Sequence, residues 1–285
     1  MHWQTTRFRI DLHQPRVMGI VNITPDSFSD GGLHAEAGAA IAHCNRLVQQ
    51  GADILDLGAE STRPGAHPVP TDAQLTRLLP VLRHALTLGV PVSVDTSDLQ
   101  VMRAVLGLGV DIVNDVRGFS MAGCLECLAA HPGAGLCLMH IQGAPETMQQ
   151  APSYADVVAD VAGFLAAALR ACEAAGIARE RTVLDPGIGF GKTDAHNLAL
   201  LARQAELLVV GRPLLVGWSR KGTLGAVTGR SRGERLAGSV AAALCAVERG
   251  ASIVRVHDVA ATVDALKVWQ AVDGAKIRAH TKDQS

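Results

Sequence analysis

The feature that most restricts the fold of this sequence is a set of eight short apolar runs, each ending in a polar or charged residue. The runs are β-branched or rich in leucine, as the buried strands of a parallel sheet are. Segments of helical character separate them, and strand followed by helix eight times predicts an α/β chain folded as a (β/α)₈ TIM barrel. The predicted strands span residues 17–22, 53–56, 90–95, 111–115, 136–140, 181–185, 213–219 and 252–257.

The remaining segments fit a single domain that spans residues 1–285. Residues 1–16 are expected to form a lid or small hairpin over the bottom of the barrel, and residues 274–285 a polar, frayed tail. Glycine follows several helical runs, for example at Gly51, Gly89 and Gly109, which is typical of the turn from a helix into a strand. The predicted helices span residues 37–50, 71–88, 99–108, 122–130, 154–175, 196–206, 234–249 and 259–272.

Charge and composition point to a small substrate. The formal net charge is −1, which favours neither a nucleic acid nor an anionic membrane as partner. No apolar signal segment opens the sequence and no apolar stretch is long enough to span a bilayer, so we expect a cytoplasmic protein. The six cysteines lie mostly in apolar surroundings, and Cys124 and Cys127 form a C-x-x-C without a second pair. This pattern favours core cysteines over disulfides, metal binding or redox chemistry.

Polar residues at the ends of different barrel strands meet at one mouth, because the loops there converge. Asp95, Asn114 and Asp185 end three of the predicted strands. Together they can bind a planar heterocycle rich in hydrogen-bonding groups, such as an aminopyrimidinone, and Lys221 could place a cation at its carbonyl. Each acid or amide could instead cap the helix that follows it, but three at once favour a pocket.

A second set of residues is cationic. Arg63, Arg255 and His257 belong to it, with Thr62 and the amide of Asn22 nearby in the predicted fold. Arginine forks suit phosphate oxygens, so an anionic, phosphorylated group is implied. Surface charges that balance nearby acids are the alternative. Against it, Arg255 and His257 flank an apolar residue inside a strand, where an unpartnered charge is costly.

The glycine-rich segment at 185–193, DPGIGFGKT, does not have the spacing of a phosphate-binding loop, because Pro186 stands where the first glycine is needed. We interpret it as a turn that brings Phe190 over a ligand, although Phe190 could also be a core residue. Met139 is expected to be a pocket wall, and His140 is either catalytic or a buried core histidine. Hydrolase and zinc motifs are absent from the sequence, whereas Mg²⁺ held mainly by substrate phosphate would leave little trace.

The chain resembles a known family through motifs that run in the family's order over nearly its whole length. The motifs are MGIVNITPDSFSDGG at 18–32, DLGAESTRPG at 56–65, SVDT at 93–96, ND at 114–115, LMH at 138–140, LDPG at 184–187, GFGK at 189–192, GWSRK at 217–221 and RVHD at 255–258. Each is moderately specific, and together they resemble the dihydropteroate synthases, pterin-binding barrel enzymes of folate biosynthesis that sulfonamides inhibit.

The resemblance implies a transferase. Its substrates would be (hydroxymethyl)dihydropterin pyrophosphate and p-aminobenzoate, its products dihydropteroate and pyrophosphate, its cofactor Mg²⁺ and its assembly a homodimer. The homodimer would form through helices on the side of the barrel away from the loops. A corrinoid-dependent methyltransferase and a non-catalytic pterin-binding relative are the rival interpretations, and the intact STRPG motif and the Arg255–His257 pair argue against the methyltransferase.

The resemblance also implies a role for each candidate residue. Arg63, Asp95 and Lys221 would be catalytic, and Asn22 would be a Mg²⁺ ligand. Family members often carry serine after the SRK motif, where this chain has Gly222. The pterin would be bound by Asp95, Asn114, Met139, Asp185, Phe190 and Lys221, the pyrophosphate by Thr62, Arg63, Arg255 and His257, and p-aminobenzoate would be bordered by Phe28, Pro64, Ser219 and Gly222.

Overall fold

Eight parallel strands form a closed barrel in the computed structural model, which describes residues 1–23, 32–61, 68–144 and 147–282. Each strand pairs with the next along the chain, and the last strand pairs with the first, so the predicted (β/α)₈ architecture is confirmed. The barrel strands are β3 (Arg16–Asn22), β4 (Ile54–Gly58), β5 (Val92–Asp95), β6 (Ile112–Asp115), β7 (Gly135–Met139), β8 (Thr182–Asp185), β9 (Leu214–Val216) and β10 (Ala251–Val256).

Helices surround the barrel and cover its apolar outer face. Asp98 and Asp156 cap the third and fifth of them, each accepting two backbone N–H groups at the helix start. The helices are α1 (Gly32–Gln49), α2 (Thr71–Ala85), α3 (Leu99–Gly107), α4 (Cys124–Ala129), α5 (Val157–Ala174), α6 (Asp194–Ala202), α7 (Gly222–Thr228), α8 (Leu236–Glu248) and α9 (Val259–Lys282).

Two helices differ from the sequence-based expectation. Helix α7 was not predicted, because its residues GTLGAVT include two glycines and two threonines, which are poor helix formers. Helix α9 runs to Lys282, so the frayed tail expected from residue 274 onward is wrong for the nine residues 274–282. That segment, GAKIRAHTK, contains only one glycine, and its other residues are compatible with a helix that has already started.

A hairpin of β1 (His2–Gln4) and β2 (Arg9–Asp11) closes the bottom of the barrel. Its fully buried Trp3 packs on the lowest layer of the barrel interior and donates from Nε1 to the backbone oxygen of Arg181 at 2.8 Å. That layer is purely apolar apart from a thiol, so the bottom is a packed core and not a channel. It consists of Met18, Ile54, Ile112, Cys137, Val183, Leu215 and Ile253.

All six cysteines are free thiols, and five of them are buried. This agrees with the expectation of core cysteines. Within the described ranges, no helix combines the length and the apolar character that crossing a lipid bilayer requires.

Candidate active site

A cavity of about 590 Å³ opens at the carboxyl ends of the barrel strands, at the end opposite the hairpin. It brings together most of the candidate residues, although they come from distant parts of the sequence. Phe28, Thr62, Arg63 and Pro64 lie outside the described residues. The candidates that line the cavity are Asn22, Asp95, Asn114, Met139, Asp185, Phe190, Ser219, Lys221, Gly222, Arg255 and His257.

A buried network of acids and one guanidinium forms the floor of the cavity. Arg255 projects from β10 and donates from Nε to Asp56 Oδ2 at 2.6 Å and from Nη2 to Asp95 Oδ2 at 3.0 Å. Asn114 reaches the same oxygen of Asp56, with Nδ2 at 3.4 Å. Arg255, expected on the pyrophosphate, is therefore held here by two carboxylates of the heterocycle region. These acids hold the pKa of Arg255 above its usual range, against the opposing effect of burial.

Several buried acceptors on this floor are unsatisfied. Among the described residues, Asp56 Oδ1, Asp95 Oδ1 and Asn114 Oδ1 have no hydrogen-bond partner. Burial raises the pKa of Asp95 to about 7, with Arg255 lowering it and Asp56 raising it. Buried polar atoms are rarely left unpaired in a native fold, so acceptors clustered at a cavity indicate a ligand that donates hydrogen bonds.

One wall of the cavity combines an acid, a cation and an aromatic ring. Asp185 ends β8, and its Oδ1 accepts the backbone N–H of Gly187 at 2.7 Å. The ammonium of Lys221 lies 4.2 Å from the centre of the Phe190 ring, a cation–π contact. Burial lowers the pKa of Lys221 to about 8 and raises the pKa of Asp185. A flat ring edged by an acid and an ammonium suits a planar heterocycle with donor and acceptor groups.

A neutral histidine stands at the mouth just after β10, the strand next to β9 in the barrel. Ser219 Oγ lies 3.0 Å from His257 Nδ1 and accepts the backbone N–H of His257 at 3.1 Å. Burial lowers the pKa of His257 to about 3, and the neighbouring Arg220 and Arg255 lower it as well. The imidazole is therefore uncharged near neutral pH and available as a hydrogen-bond donor to an anion.

His140 is a buried core histidine and does not line the cavity. Its ring packs edge-on against Phe164, with centroids 4.9 Å apart, and burial lowers its pKa to about 3. A protonated His140 is therefore not available for acid catalysis near neutral pH. The structure favours the core interpretation over the catalytic one.

Three functional residues escaped the sequence analysis. Asp56 is completely buried at the hub of the floor network, and its only signal was its place at the end of a predicted strand. Lys192 is 2% exposed and lines the cavity. The sequence analysis interpreted its segment only as a glycine-rich turn and assigned no role to the lysine. Arg235 donates from Nη1 to the backbone oxygens of Arg220 and Lys221, both at 3.2 Å, and so supports the loop that carries Lys221.

The described residues contain no group of three or more His, Cys, Asp or Glu side chains arranged to hold a metal ion. Asn22, at the end of β3, lines the cavity with an amide oxygen available. Mg²⁺ is often held by one or two protein oxygens together with water and substrate phosphates, and Asn22 fits that kind of site.

Comparison with known proteins gives consistent matches over nearly the whole chain. The pterin-binding enzyme family matches residues 18–257. Dihydropteroate synthase of Neisseria meningitidis serogroup B is 52% identical over 276 residues, which cover 95% of this chain and 97% of that protein. The Xanthomonas albilineans enzyme of the same name, solved with 4-aminobenzoic acid, superposes with a TM-score of 0.88 at 50% identity, covering 93% of this chain and 95% of that one. The Burkholderia cenocepacia enzyme, solved with 7,8-dihydropteroate, gives a TM-score of 0.89 at 48% identity, with coverage of 97% and 98%.

Proposed function

The chain belongs to the dihydropteroate synthase family of pterin-binding enzymes, and we propose which residues of its barrel mouth bind each substrate and the leaving group in the reaction of that family. The enzyme transfers the dihydropterin methylene from its pyrophosphate ester to the amine of p-aminobenzoate, and releases dihydropteroate and pyrophosphate. The reaction needs a polar pocket for the pterin, a cationic pocket for the leaving group and an opening through which the amine attacks.

The pterin pocket is assigned to the cavity floor because the floor contains hydrogen-bond acceptors without partners among the described residues. We assign the pterin N–H groups to Asp95, Asn114 and Asp185, because Asp95 Oδ1 and Asn114 Oδ1 lack partners among the described residues. Lys221 donates to the acceptor edge of the heterocycle, and Phe190 supplies a stacking face next to it. Met139 closes the pocket as an apolar wall, since it lines the cavity and is 4% exposed.

The leaving group is assigned to the part of the mouth next to Arg255, a guanidinium already paired with Asp56 and Asp95, and His257, a neutral imidazole that can donate a hydrogen bond. Arg255 and His257 line the cavity there, and Thr62 and Arg63, which lie outside the described residues, complete the sequence-based set. Asn22 would hold Mg²⁺, which supplies positive charge to the departing pyrophosphate when bound. Positive charge fixed in advance at this position lowers the barrier to breaking the C–O bond.

We propose that the displacement is dissociative. The electron-rich pterin can stabilise a developing methylene cation, and the nearby charge of Asp95 favours it electrostatically. The weakly basic aniline then needs no strong general base, which agrees with the low pKa of His257. Isotope effects at the methylene carbon and its bridging oxygen test this, and a tight, associative transition state would contradict it.

The amine substrate is assigned to the part of the mouth formed by the end of the β9–α7 connection and the start of α7. Ser219 and Gly222 line this part of the cavity, and Phe28 and Pro64 complete the sequence-based set outside the described residues. The position of Ser219 next to His257 would place the amine beside the site assigned to the leaving group. An amine held there can add to the developing methylene cation as the C–O bond to pyrophosphate breaks.

The test of the function is the release of pyrophosphate by purified protein supplied with dihydropterin pyrophosphate and Mg²⁺, with and without p-aminobenzoate. We expect release that depends on p-aminobenzoate, and one dihydropteroate formed for each pyrophosphate. Binding of the pterin substrate without turnover would instead identify a non-catalytic pterin-binding relative.

We further propose a homodimer located in the cytoplasm. Large apolar side chains exposed on the last three helices, among them Val227, Leu236 and Val268, support a self-association surface. The six free thiols support a reducing compartment. Sedimentation equilibrium of the wild type and of Val268→Glu tests the dimer, and a monomeric wild type would overturn it. Immunolocalisation or cell fractionation tests the compartment.

A further inference from the structure

The turn that carries Phe190 is held by side-chain donors along most of its length. It spans residues 187–191, between β8 and α6, and four of its five backbone oxygens accept a hydrogen bond from a side chain. An irregular glycine-rich turn would ordinarily leave these oxygens to water. The donors are Lys192 Nζ to the oxygens of Gly187 and Phe190, both at 3.0 Å, Gln149 Nε2 to Gly189 at 2.8 Å, and Tyr154 Oη to Gly191 at 2.7 Å.

Lys192 is the most demanding of these donors. Its ammonium has three N–H groups, and the third acceptor is Nδ1 of His140 at 2.8 Å, so all three are used inside the protein. The residue is 2% exposed, and burial lowers its pKa to about 7, with Asp185 raising it and Lys221 lowering it. Burying an ammonium group costs free energy unless it is hydrogen-bonded. Here two of its hydrogen bonds go to the turn and the third goes to His140, in the neighbouring segment.

The neighbouring segment fixes the other side of the turn. His140 directly follows β7, and its backbone oxygen lies so close to Gly187 that a side-chain Cβ there would collide with it. A Cβ at Gly191 would likewise collide with the backbone oxygen of Gln142. Both glycines have a positive φ, so a larger residue would also be strained. Lys192 thus ties together two segments that touch through backbone atoms.

The side chain that this arrangement presents to the cavity is Phe190. Its ring faces the Lys221 ammonium at 4.2 Å, and its own backbone oxygen is one of the Lys192 acceptors. We propose that Lys192 is a positioning residue, which fixes the turn so that the Phe190 ring stands as a preformed stacking face for the pterin. The inference rests on the proposed function, because it takes the pterin as the ligand that stacks on Phe190.

A positioning role predicts that Lys192 acts on pterin affinity through Phe190, and a double-mutant cycle measures such coupling. The probe is dihydropterin pyrophosphate with Mg²⁺, titrated calorimetrically in the absence of p-aminobenzoate. Lys192→Met keeps the length of the side chain but removes its three donors, and we expect its Kd to rise about tenfold. In a Phe190→Ala background, which already lacks the stacking ring, the same change should raise Kd less than about twofold.

Tyr154→Phe is the matched control. It removes the donor to Gly191 but leaves both Lys192 bonds to the turn, so pterin affinity should stay within about twofold of the wild type. Lys192→Gln keeps an amide donor without the charge, and its Kd should fall between those of the wild type and Lys192→Met. Thermal unfolding of each variant, followed by circular dichroism, separates lost affinity from lost structure.

Equal effects of Lys192→Met in both backgrounds would overturn the proposal, as would an unchanged Kd in the wild-type background. Failure of both Lys192 variants to fold would also overturn it, since Lys192 would then serve the fold itself. The proposed function is judged separately on the wild type. A wild type that fails to form dihydropteroate contradicts that function, whereas a fully active wild type with an unaffected Lys192→Met contradicts only the positioning role.

Discussion

Two buried aspartates, one at each end of the barrel, differ in how completely their hydrogen bonds are satisfied. Asp111, at the bottom, is fully buried and accepts from the backbone N–H of Arg7, from its guanidinium and from the backbone N–H of Val92. Asp95, at the mouth, has one oxygen bound to Arg255 and the other without a partner among the described residues. Asp95 ends β5 and Asp111 directly precedes β6, and these two strands are neighbours in the barrel.

The difference indicates separate roles for the two ends. The hairpin completes the hydrogen bonds of Asp111, which contributes to stability. The mouth leaves acceptors unpaired, which costs stability in the free protein and is recovered only when a ligand binds. Changes at the bottom should therefore affect unfolding, and changes at the mouth should affect turnover.

The largest effect is expected at the bottom, from Asp111→Ala. The substitution removes the acceptor of the backbone N–H groups of Arg7 and Val92 and one acceptor of the partly exposed Arg7 guanidinium, which still donates to the backbone oxygens of Leu86 and Val90. Each buried donor left unpaired costs about 1–3 kcal/mol, so we expect the free energy of unfolding to fall by about 2–5 kcal/mol. Urea denaturation measures it, with Asp11→Ala, an exposed acid of the same hairpin, as the control that should leave the midpoint unchanged. The folded variant should keep its kcat/KM, and a large loss of activity without loss of stability would break the comparison.

At the mouth, Lys221→Ala should affect catalysis instead. Losing one preorganised cation costs about 2–4 kcal/mol of transition-state stabilisation, a decrease of roughly thirtyfold to a thousandfold in kcat/KM. Steady-state assays measure it, and Lys267→Ala, an exposed lysine on α9, should stay close to wild type. A stability loss as large as that of Asp111→Ala would show that the mouth and the bottom do not differ as argued. Wild-type activity would remove Lys221 from the site.

The sequence alone predicted the barrel because its strands are buried on both faces and read as apolar runs. Secondary structure was predicted less well where the residues have low helix propensity, and α7, which contains two glycines and two threonines, was therefore missed. Helix ends were also uncertain, and the continuation of α9 to Lys282 was missed because polar residues suggested a tail. A helix already started can include such residues at little cost.

Sequence motifs located the residues of the mouth but did not predict which hydrogen bonds and ion pairs these residues form with one another. Arg255 carries a charge that suits a phosphate, yet its position in β10 places it between two carboxylates. Asp56 was recognised only as the end of a strand, since its role depends on side chains far away in sequence. Such pairings arise from barrel closure, which brings β10 beside β3, and no local pattern encodes them.

The pH dependence of kcat/KM for the pterin substrate sharpens the assignment at the mouth. Asp95, with its pKa raised to about 7 by burial, keeps its proton at lower pH and cannot accept from the pterin, so activity should rise with pH through about 7. Lys221, with its pKa lowered to about 8, loses its charge at higher pH, so activity should then fall. Lys221→Arg should move the falling limb upward, because arginine stays charged. If Lys221→Arg leaves the falling limb of the kcat/KM profile at the same pH, the loss of activity at high pH is due to a group other than Lys221.

The smallest effect is expected at the rim, from Gly222→Ser. Gly222 is exposed and nothing lies within 4 Å of the Cβ that a substitution would add, so the new side chain fits without displacing a neighbour. A serine hydroxyl there can donate to the p-aminobenzoate carboxylate, and we expect the KM for p-aminobenzoate to fall about twofold to threefold, as one exposed hydrogen bond allows. Gly222→Ala, which adds the Cβ without the hydroxyl, should leave KM unchanged. If serine raises KM or leaves it as it is, the hydroxyl has no use at this rim, and the carboxylate is bound by other groups.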